Sequence, residues 1–419
     1  MLGEGLAGAS SEQTRPAEAK GTALTYEEMC QFETLYKAYL TARKGKRNKA
    51  GTAQYEANAL ACTEKLSRLL LTKTYRPSKF EIFKVYEPKE RDVQAPAFVD
   101  KVVLHAATDN ILYDAITKGF IRDNYSSQKG KGTHDGLMRL KLQMVTYFRR
   151  YGTTEGIVVK GDVRRFFASI DHRKLKRALK RLFIRRGLDM ELYDLLCIYI
   201  DASDGLPLGY QTSQLFALLF LDEFDHWIKE EKGCEFYGRY MDDFYAIVRT
   251  KEEARRLLAD IREFIADLGL ELNQKTGIFP LRNGIDLLGF HSYLTETGAC
   301  IQKLRKDGIE RIQSRIRYWR KAYPAGEITK EKIIDQFQGW DAHAAHGDTY
   351  ALRQKYAGQV GEIIGEVPEI HRKINSTKEV RARRRAKQER CIRKKTGAPV
   401  SFAIPALEGP RPDDIPPWM

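Results

Sequence analysis

The chain has 419 residues, 42% hydrophobic and 11% aromatic, which suits a globular protein of two or three subdomains with a sizeable core. Its 71 Lys and Arg against 56 Asp and Glu leave a formal charge of +15, an excess that points to a polyanionic partner, most simply nucleic acid. No apolar run approaches the length needed to span a bilayer, and the first residues lack the apolar segment of a signal peptide. The six cysteines form no C-x-x-C pair and none lies near a His at zinc-finger spacing, so they read as reduced thiols of a cytoplasmic protein.

Residues 1–24 are rich in Gly, Ala, Ser, Glu and Thr without apolar periodicity, and read as a flexible tail. Thr25 followed by Glu27 and Glu28 predicts a helix start, and Met29, Phe32, Leu35, Tyr36 and Tyr39 continue at helical spacing. A basic loop over 43–49 precedes a second helix over 53–71. Tyr75-Arg76-Pro77 breaks the helical pattern. Residues 80–85 then alternate as a strand, 87–91 form a charged turn, and 92–95 return. This is a hairpin tipped by Lys89 and Arg91. A helix over 100–112 follows. The stretch 124–134 is polar, Gly-rich and basic through Lys129 and Lys131, which suits backbone approach to phosphate. Asp135 is placed to cap the next helix, whose Leu137, Leu140 and Met144 face inward.

Residues 157–163 read as a fully buried strand ending in Asp162. Asp171-His172 opens a helix carried by Leu175, Leu179 and Leu182, and a helical segment over 189–201 precedes a loop over 204–214. A helix over 214–229 is apolar nearly all round and should be buried. Residues 252–268 form an amphipathic helix. Short strands are predicted at 270–272, 275–280 and 285–290. From about residue 308 the pattern is helical and basic, with Arg311 and Arg315 among apolar residues. A further helical region holds Trp340, His343 and His346, read as packing and capping groups rather than metal ligands. Residues 372–395 are strongly basic, with Arg383, Arg384 and Arg385 at their centre.

The most informative stretch is 236–248, two short apolar strands with Asp242 and Asp243 at the turn between them. Asp is common in turns, yet two adjacent carboxylates on an apolar hairpin repel each other and are costly to desolvate unless a cation neutralises them. In a mixed strand and helix pattern, Asp162 can be brought to the same sheet. Two or three carboxylates there can hold two Mg²⁺ ions about 4 Å apart, for which Mn²⁺ could substitute. Phosphoryl transfer needs little beyond such positioning and positive charge, which Lys89 and Arg91 could supply.

Tyr240-Met241-Asp242-Asp243 resembles the signature of reverse transcriptases. Around it stand, in that family's order, Lys160-Gly161-Asp162-Val163-Arg164-Arg165-Phe166-Phe167, Gly205-Leu206-Pro207-Leu208-Gly209, Asn273-Gln274-Lys275 and Leu288-Gly289-Phe290. The resemblance implies an α+β right-hand polymerase. Its fingers and palm would span 75–295 after an N-terminal helical region at 25–74. A helical thumb would occupy 296–371 and a basic, mobile tail 372–419. It implies Asp162 and Asp242 as principal metal ligands, with Asp243 in support and the Val163 backbone carbonyl as a further ligand. Phe167 would be a steric gate against the ribose 2′-hydroxyl. Lys89, Arg91, Leu208, Gly209 and Gln214 would contact the incoming dNTP, and Lys275 would be a general acid near pyrophosphate. Leu288, Gly289 and Phe290 would form the primer grip. Lys129, Lys131, Arg311, Arg315 and the Arg383–Arg385 run would contact RNA.

The loop Leu208-Gly209-Tyr210-Gln211-Thr212-Ser213-Gln214 has an aliphatic residue where many reverse transcriptases have Gln, and Gln214 where many have Pro. That form is similar to bacterial diversity-generating retroelement enzymes. The implied activity is RNA-directed DNA synthesis in the bacterial cytoplasm, on a template RNA or structured non-coding RNA, from a DNA or RNA primer. A small accessory protein would be a further partner, and no membrane is involved. Antiphage-defence reverse transcriptases share much of the pattern. An RNA-binding scaffold with a vestigial polymerase fold is the alternative of another class, and the intact Asp162, Asp242 and Asp243 argue against it.

Overall fold

The structure, a computed structural model, describes residues 24–86 and 90–371. The expectations for the N-terminal tail, Lys89, Arg383, Arg384 and Arg385 lie outside the described residues. The chain divides into two compact units. The first holds the described residues up to Ile116 with Leu179–Ala202 and Gly209–Thr212, and the second holds Thr117–Ala178, Ser203–Leu208 and the described residues from Ser213.

In the first unit Thr25 and Glu28 form a capping box, so the predicted start holds. The predicted helix over 53–71 is two helices, Ala50–Ala57 and Ala59–Leu71, broken where Asn58 leaves helical geometry (φ −129°, ψ 37°). Tyr39, Tyr55 and Phe98 meet edge to face and tilted at 5.2–6.2 Å between ring centres. Strands β1 (Glu81–Val85) and β2 (Arg91–Ala95) form the predicted hairpin, with β1 exposed along its whole length. The helix Phe98–Ala107 starts earlier than predicted and widens into a π-turn at Thr108–Leu112. Buried Asp100 accepts from the Tyr75 hydroxyl and the Ser78 amide.

The second unit is built on an antiparallel sheet of β3 (Ile157–Asp162), β4 (Phe236–Tyr240), β5 (Asp243–Val248) and β6 (Gly277–Pro280), in the order β4-β5-β3-β6. Its strands read as continuous apolar runs because both faces are covered. The helix Thr133–Tyr151 lays Leu140, Met144 and Tyr147 against Val158, Tyr245 and Ile247. The helix Lys251–Asp267 covers the other side, where Phe224 meets Phe244 and Phe264. Each such fully buried side chain contributes about 1.5–3 kcal/mol. Gly161 is required on β3, since a Cβ there would lie 2.2 Å from the Phe244 ring that crosses it. Asp135 is not the cap of Thr133–Tyr151. That helix begins two residues earlier, and Asp135 sits in its first turn, paired with Arg122. The predicted helix over 214–229 is divided into Gln211–Phe220, Asp222–His226 and a π-turn at Trp227–Glu231.

Residues 270–272 make only a single bridge, Leu272 to Val163, rather than a strand. The predicted strand over 285–290 is a hairpin instead. Strand β7 (Ile285–Leu287) turns at Leu288 (φ +52°) and Gly289 (φ +84°) into β8 (Phe290–Leu294), and β9 (Cys300–Leu304) completes a second antiparallel sheet. Helices Lys306–Ala322, Lys330–Ala344 and Tyr350–Ile364 bury Ile312, Ile316, Trp319, Ile333, Phe337, Tyr356 and Val360 together. Among the described residues no helix is long and apolar enough to cross a membrane, and five cysteines are free thiols.

Candidate active site

The site forms where β3 ends and the β4–β5 hairpin turns. Tyr240 pairs with Asp243, so the turn itself is Met241-Asp242, and Asp243 is the first residue of β5 rather than part of the tip. Asp162, the last residue of β3, pairs with Asp243 across the sheet. Asp162 and Asp243 are therefore partners in one antiparallel ladder, and Asp242 stands in the turn beside them.

They are not equivalent. The carboxyl of Asp242 is pushed up to about 6, first by burial and then by the negative charge of Asp162. Asp243 also titrates above the usual carboxylate range, because burial outweighs the opposing pull of Lys160. Lys160, two residues before Asp162 on the same face of β3, donates from its ammonium to Asp243 Oδ1. Thus the charge of Asp162 acts on Asp242, whereas one oxygen of Asp243 is already engaged. Among the described residues no group of three or more His, Cys, Asp or Glu side chains is arranged to hold a metal ion. The donor set is instead two repelling carboxylates with a third partly engaged, all hard oxygen. That set, and the unbalanced repulsion within it, fits an oxygen-seeking divalent cation.

The segment 271–276 holds Asp162 from outside the sheet. Asn273 donates its backbone N–H to the Asp162 carbonyl at 2.7 Å and its amide to Asp162 Oδ2 at 3.2 Å, while the Asp162 N–H donates to Thr276 Oγ1 at 3.3 Å. Arg164 N–H donates to the Glu271 carbonyl at 2.8 Å. These flanking bonds make the bridge at Val163 and leave the Val163 carbonyl outside it. Asn273 and Thr276 are site residues that sequence reasoning missed. The Asn273-Gln274-Lys275 motif is the available signal, although its charged member, Lys275, is the conspicuous one. Lys275 is exposed, and only its backbone N–H is tied into this turn, to Asn273 Oδ1.

Phe167 stands half-buried on the short helix Phe166–Ser169, its ring edge-on to Phe166 at 5.6 Å. Arg165 at φ +47° turns the chain from β3 into that helix. Leu206 N–H donates to the Phe167 carbonyl at 2.7 Å, and Gly205 (φ +61°) lies so close that a Cβ would be 2.6 Å from that oxygen. The Gly205-Leu206 motif thus seats the backbone of Phe167. Leu208 is 39% exposed. Gln214 is exposed and accepts from Ser127 Oγ at 2.8 Å.

The other predicted site residues are distributed as follows. Gly209 lies in the first unit, where a Cβ would meet the Gln94 carbonyl at 2.1 Å, and Arg91 opens β2 there. Lys131 is turned inward, its ammonium donating to the carbonyls of Ile121, Arg122 and Asn124, and burial pulls its pKa down. Lys129 is exposed. In the Leu288-Gly289 turn, Leu288 packs on the helix Thr133–Tyr151, and the Gly289 carbonyl accepts from Arg305 N–H at 3.0 Å. Phe290 is wholly buried beside Leu137, Leu304 and Ala344, so it supports the turn from the core. On Lys306–Ala322, Arg311 is exposed and pairs weakly with Asp307, and Arg315 is exposed one turn further on.

Residues 89–292 match the family model described as reverse transcriptase (RNA-dependent DNA polymerase). Protein YkfC of Escherichia coli K12 is 26% identical over 267 residues, covering 52% of this chain and 68% of the relative. Among solved structures, a Candida albicans telomerase determined with a fragment of telomeric RNA is similar at TM-score 0.42 and 10% identity, over 73% of this chain and 68% of that one. An apo telomerase from Candida tropicalis is similar at TM-score 0.43 and 12% identity, over 69% and 60%.

Proposed function

We propose that the chain is an RNA-directed DNA polymerase, a reading supported by the reverse transcriptase model that residues 89–292 match, and that Asp162 and Asp242 are its principal metal-holding carboxylates, with Asp243 and the Val163 carbonyl in support. The observation that carries this reading is the meeting of Asp162 at the end of β3 with Asp243 and the Met241-Asp242 turn, where the charge of Asp162 disfavours ionisation of Asp242. Two Mg²⁺ ions bound there, with Mn²⁺ as a possible substitute, would lower the pKa of a primer 3′-hydroxyl and steady the triphosphate and its leaving pyrophosphate. The protein's own part is positional. Asn273 and Thr276 hold Asp162 in place, and Lys160 keeps Asp243 oriented. Phe167 presents its ring where a ribose 2′-hydroxyl would clash. Lys89, Arg91, Gly209 and Gln214 serve the incoming dNTP, and Lys275 is exposed and free to approach pyrophosphate as an acid. Leu288 and Gly289 support the primer end.

Primer extension on an RNA template tests the reading. Asp162→Asn and Asp242→Asn should each lower the rate by about 10³-fold or more. Asp242→Asn should also raise the melting temperature in EDTA, because one of two repelling carboxylates is gone. Mg²⁺ alone should stabilise the wild type and not Asp242→Asn. Equal extension by wild type and Asp242→Asn would sink the assignment.

For the biological role we read a diversity-generating retroelement enzyme that copies a structured RNA in the bacterial cytoplasm, aided by a small accessory protein. Support comes from the exposed aliphatic Leu208 where a polar side chain would grip the nucleotide. Leu208→Gln should reduce misincorporation opposite template adenine. Unchanged fidelity in sequenced cDNA would count against that role and leave the polymerase reading intact.

A further inference from the structure

The hairpin that carries Asp242 is gripped from behind by a pair of charges. Arg239 on β4 and Asp225 on the helix Asp222–His226 are both 0% exposed. Arg239 Nε donates to Asp225 Oδ1 at 2.6 Å, and its Nη2 donates to Oδ2 at 2.6 Å, a two-pronged ion pair. The remaining arm turns towards the site: Nη1 donates to the Met241 carbonyl at 2.5 Å. Asp225 is fixed in turn by the Tyr237 hydroxyl at 2.6 Å and the Asn124 amide at 3.2 Å.

Met241 needs such a grip. Its φ of +57° lies in the left-handed region, which costs a side chain-bearing residue. Ser126 Oγ accepts its N–H at 3.1 Å, so both polar backbone groups of Met241 are held by side chains from outside the turn. The Met241 carbonyl belongs to the peptide that carries the Asp242 nitrogen. Holding that oxygen therefore sets the plane from which the Asp242 side chain departs. Stability alone does not explain the device, since buried ion pairs can often be replaced by apolar residues of similar volume at no loss.

We infer that Arg239 and Asp225, with Ser126, are positioning residues of the polymerase reaction, orienting the Met241–Asp242 peptide so that Asp242 faces Asp162. The inference rests on the reading of Asp242 as a metal-holding carboxylate. Lys at position 239 would keep the charge but could not serve two carboxylate oxygens and a carbonyl at fixed angles.

The test is single-nucleotide addition to a bound primer–template, with melting temperature and Mg²⁺ dependence measured on the same proteins. The double variant Asp225→Leu/Arg239→Met removes both charges together. It should fold with a near-native melting temperature, yet lose about 100-fold in kcat with KM for dNTP within about threefold. Its half-maximal rate should need more Mg²⁺. Arg239→Lys and Ser126→Ala should show the same kcat loss and Mg²⁺ shift to a smaller degree. If the double variant does not fold, these two single variants decide the matter. A folded double variant with native kcat and Mg²⁺ dependence, or both single variants with native values, would overturn the inference. An active Asp242→Asn would overturn the underlying site assignment instead, so the two failures are distinguishable.

Discussion

Among individual residues, the acidic triad was legible because its signals are local. Asp162 ends an apolar run, and Asp242 and Asp243 interrupt another, so period and charge conflict visibly in the sequence. The division of labour among the three was not legible. Lys160 engages Asp243, and Asn273 engages Asp162, through contacts that span 83 and 111 residues of chain. Arg239 and Asp225 carry no sequence signal for a related reason. Read along the chain they are ordinary charges near a helix end and a strand, and only complete burial makes them unusual. Lys131 shows the reverse error, a cation in a Gly-rich stretch whose ammonium closes its own loop. Phe167 yields a direct prediction. Its ring is half-buried and its backbone is seated by Leu206, so truncation should open space without unseating the helix. Phe167→Val should raise the ratio of ribonucleotide to deoxyribonucleotide kcat/KM by about 10–200-fold, read by single-nucleotide addition. An unchanged ratio would remove Phe167 from the role of gate.

At the level of elements, β3, β4 and β5 were predicted within a residue or two, because fully buried strands of β-branched and aromatic residues are distinctive. The Leu288-Gly289 turn was misread as strand. A two-residue turn with positive φ at both positions usually advertises itself with Asn-Gly, and Leu288 hides the signal. What pins it lies elsewhere, in the packing of Leu288 at Gly136 and of Phe290 among Leu137, Leu304 and Ala344. Next to this turn lies a histidine cluster with a measurable consequence. His134 and His346 share a hydrogen bond between Nδ1 atoms at 3.1 Å, and His343 lies against Phe290. Burial, then His134 and His343, pull His346 down to about 4, while burial and Arg311 lower His343. With a folded-state pKa below the unfolded one, the unfolded chain binds more protons between about pH 4 and 6.5. Stability should therefore be full above that window and fall as pH drops through it. Thermal unfolding at pH 7 and pH 5 should show the decline, and His346→Gln should flatten it.

For the whole molecule, the charge of +15 is a property of composition, whereas the surfaces that use it depend on folding. The helix Lys306–Ala322 buries Ile312, Ile316 and Trp319 and leaves Arg311, Arg315, Arg317 and Arg320 outward, as its periodicity implied. Binding of a primer–template should weaken linearly in log–log form with salt. Arg311→Ala/Arg315→Ala should reduce the slope by about 2 if each cation meets one phosphate, measured by fluorescence anisotropy across a salt series. A slope unchanged by the double substitution would place the phosphates elsewhere. Sequence alone marked β3, β4 and β5, the three carboxylates at their ends and a resemblance to enzymes that act on nucleic acid, since these follow from short-range periodicity and motif order. Only the tertiary structure decided which carboxylates meet, which cation each polar group meets, and that a buried Arg239–Asp225 pair grips the turn beneath Asp242. Those relations join residues distant in the chain, and their energies depend on burial and direction, neither of which a linear pattern carries.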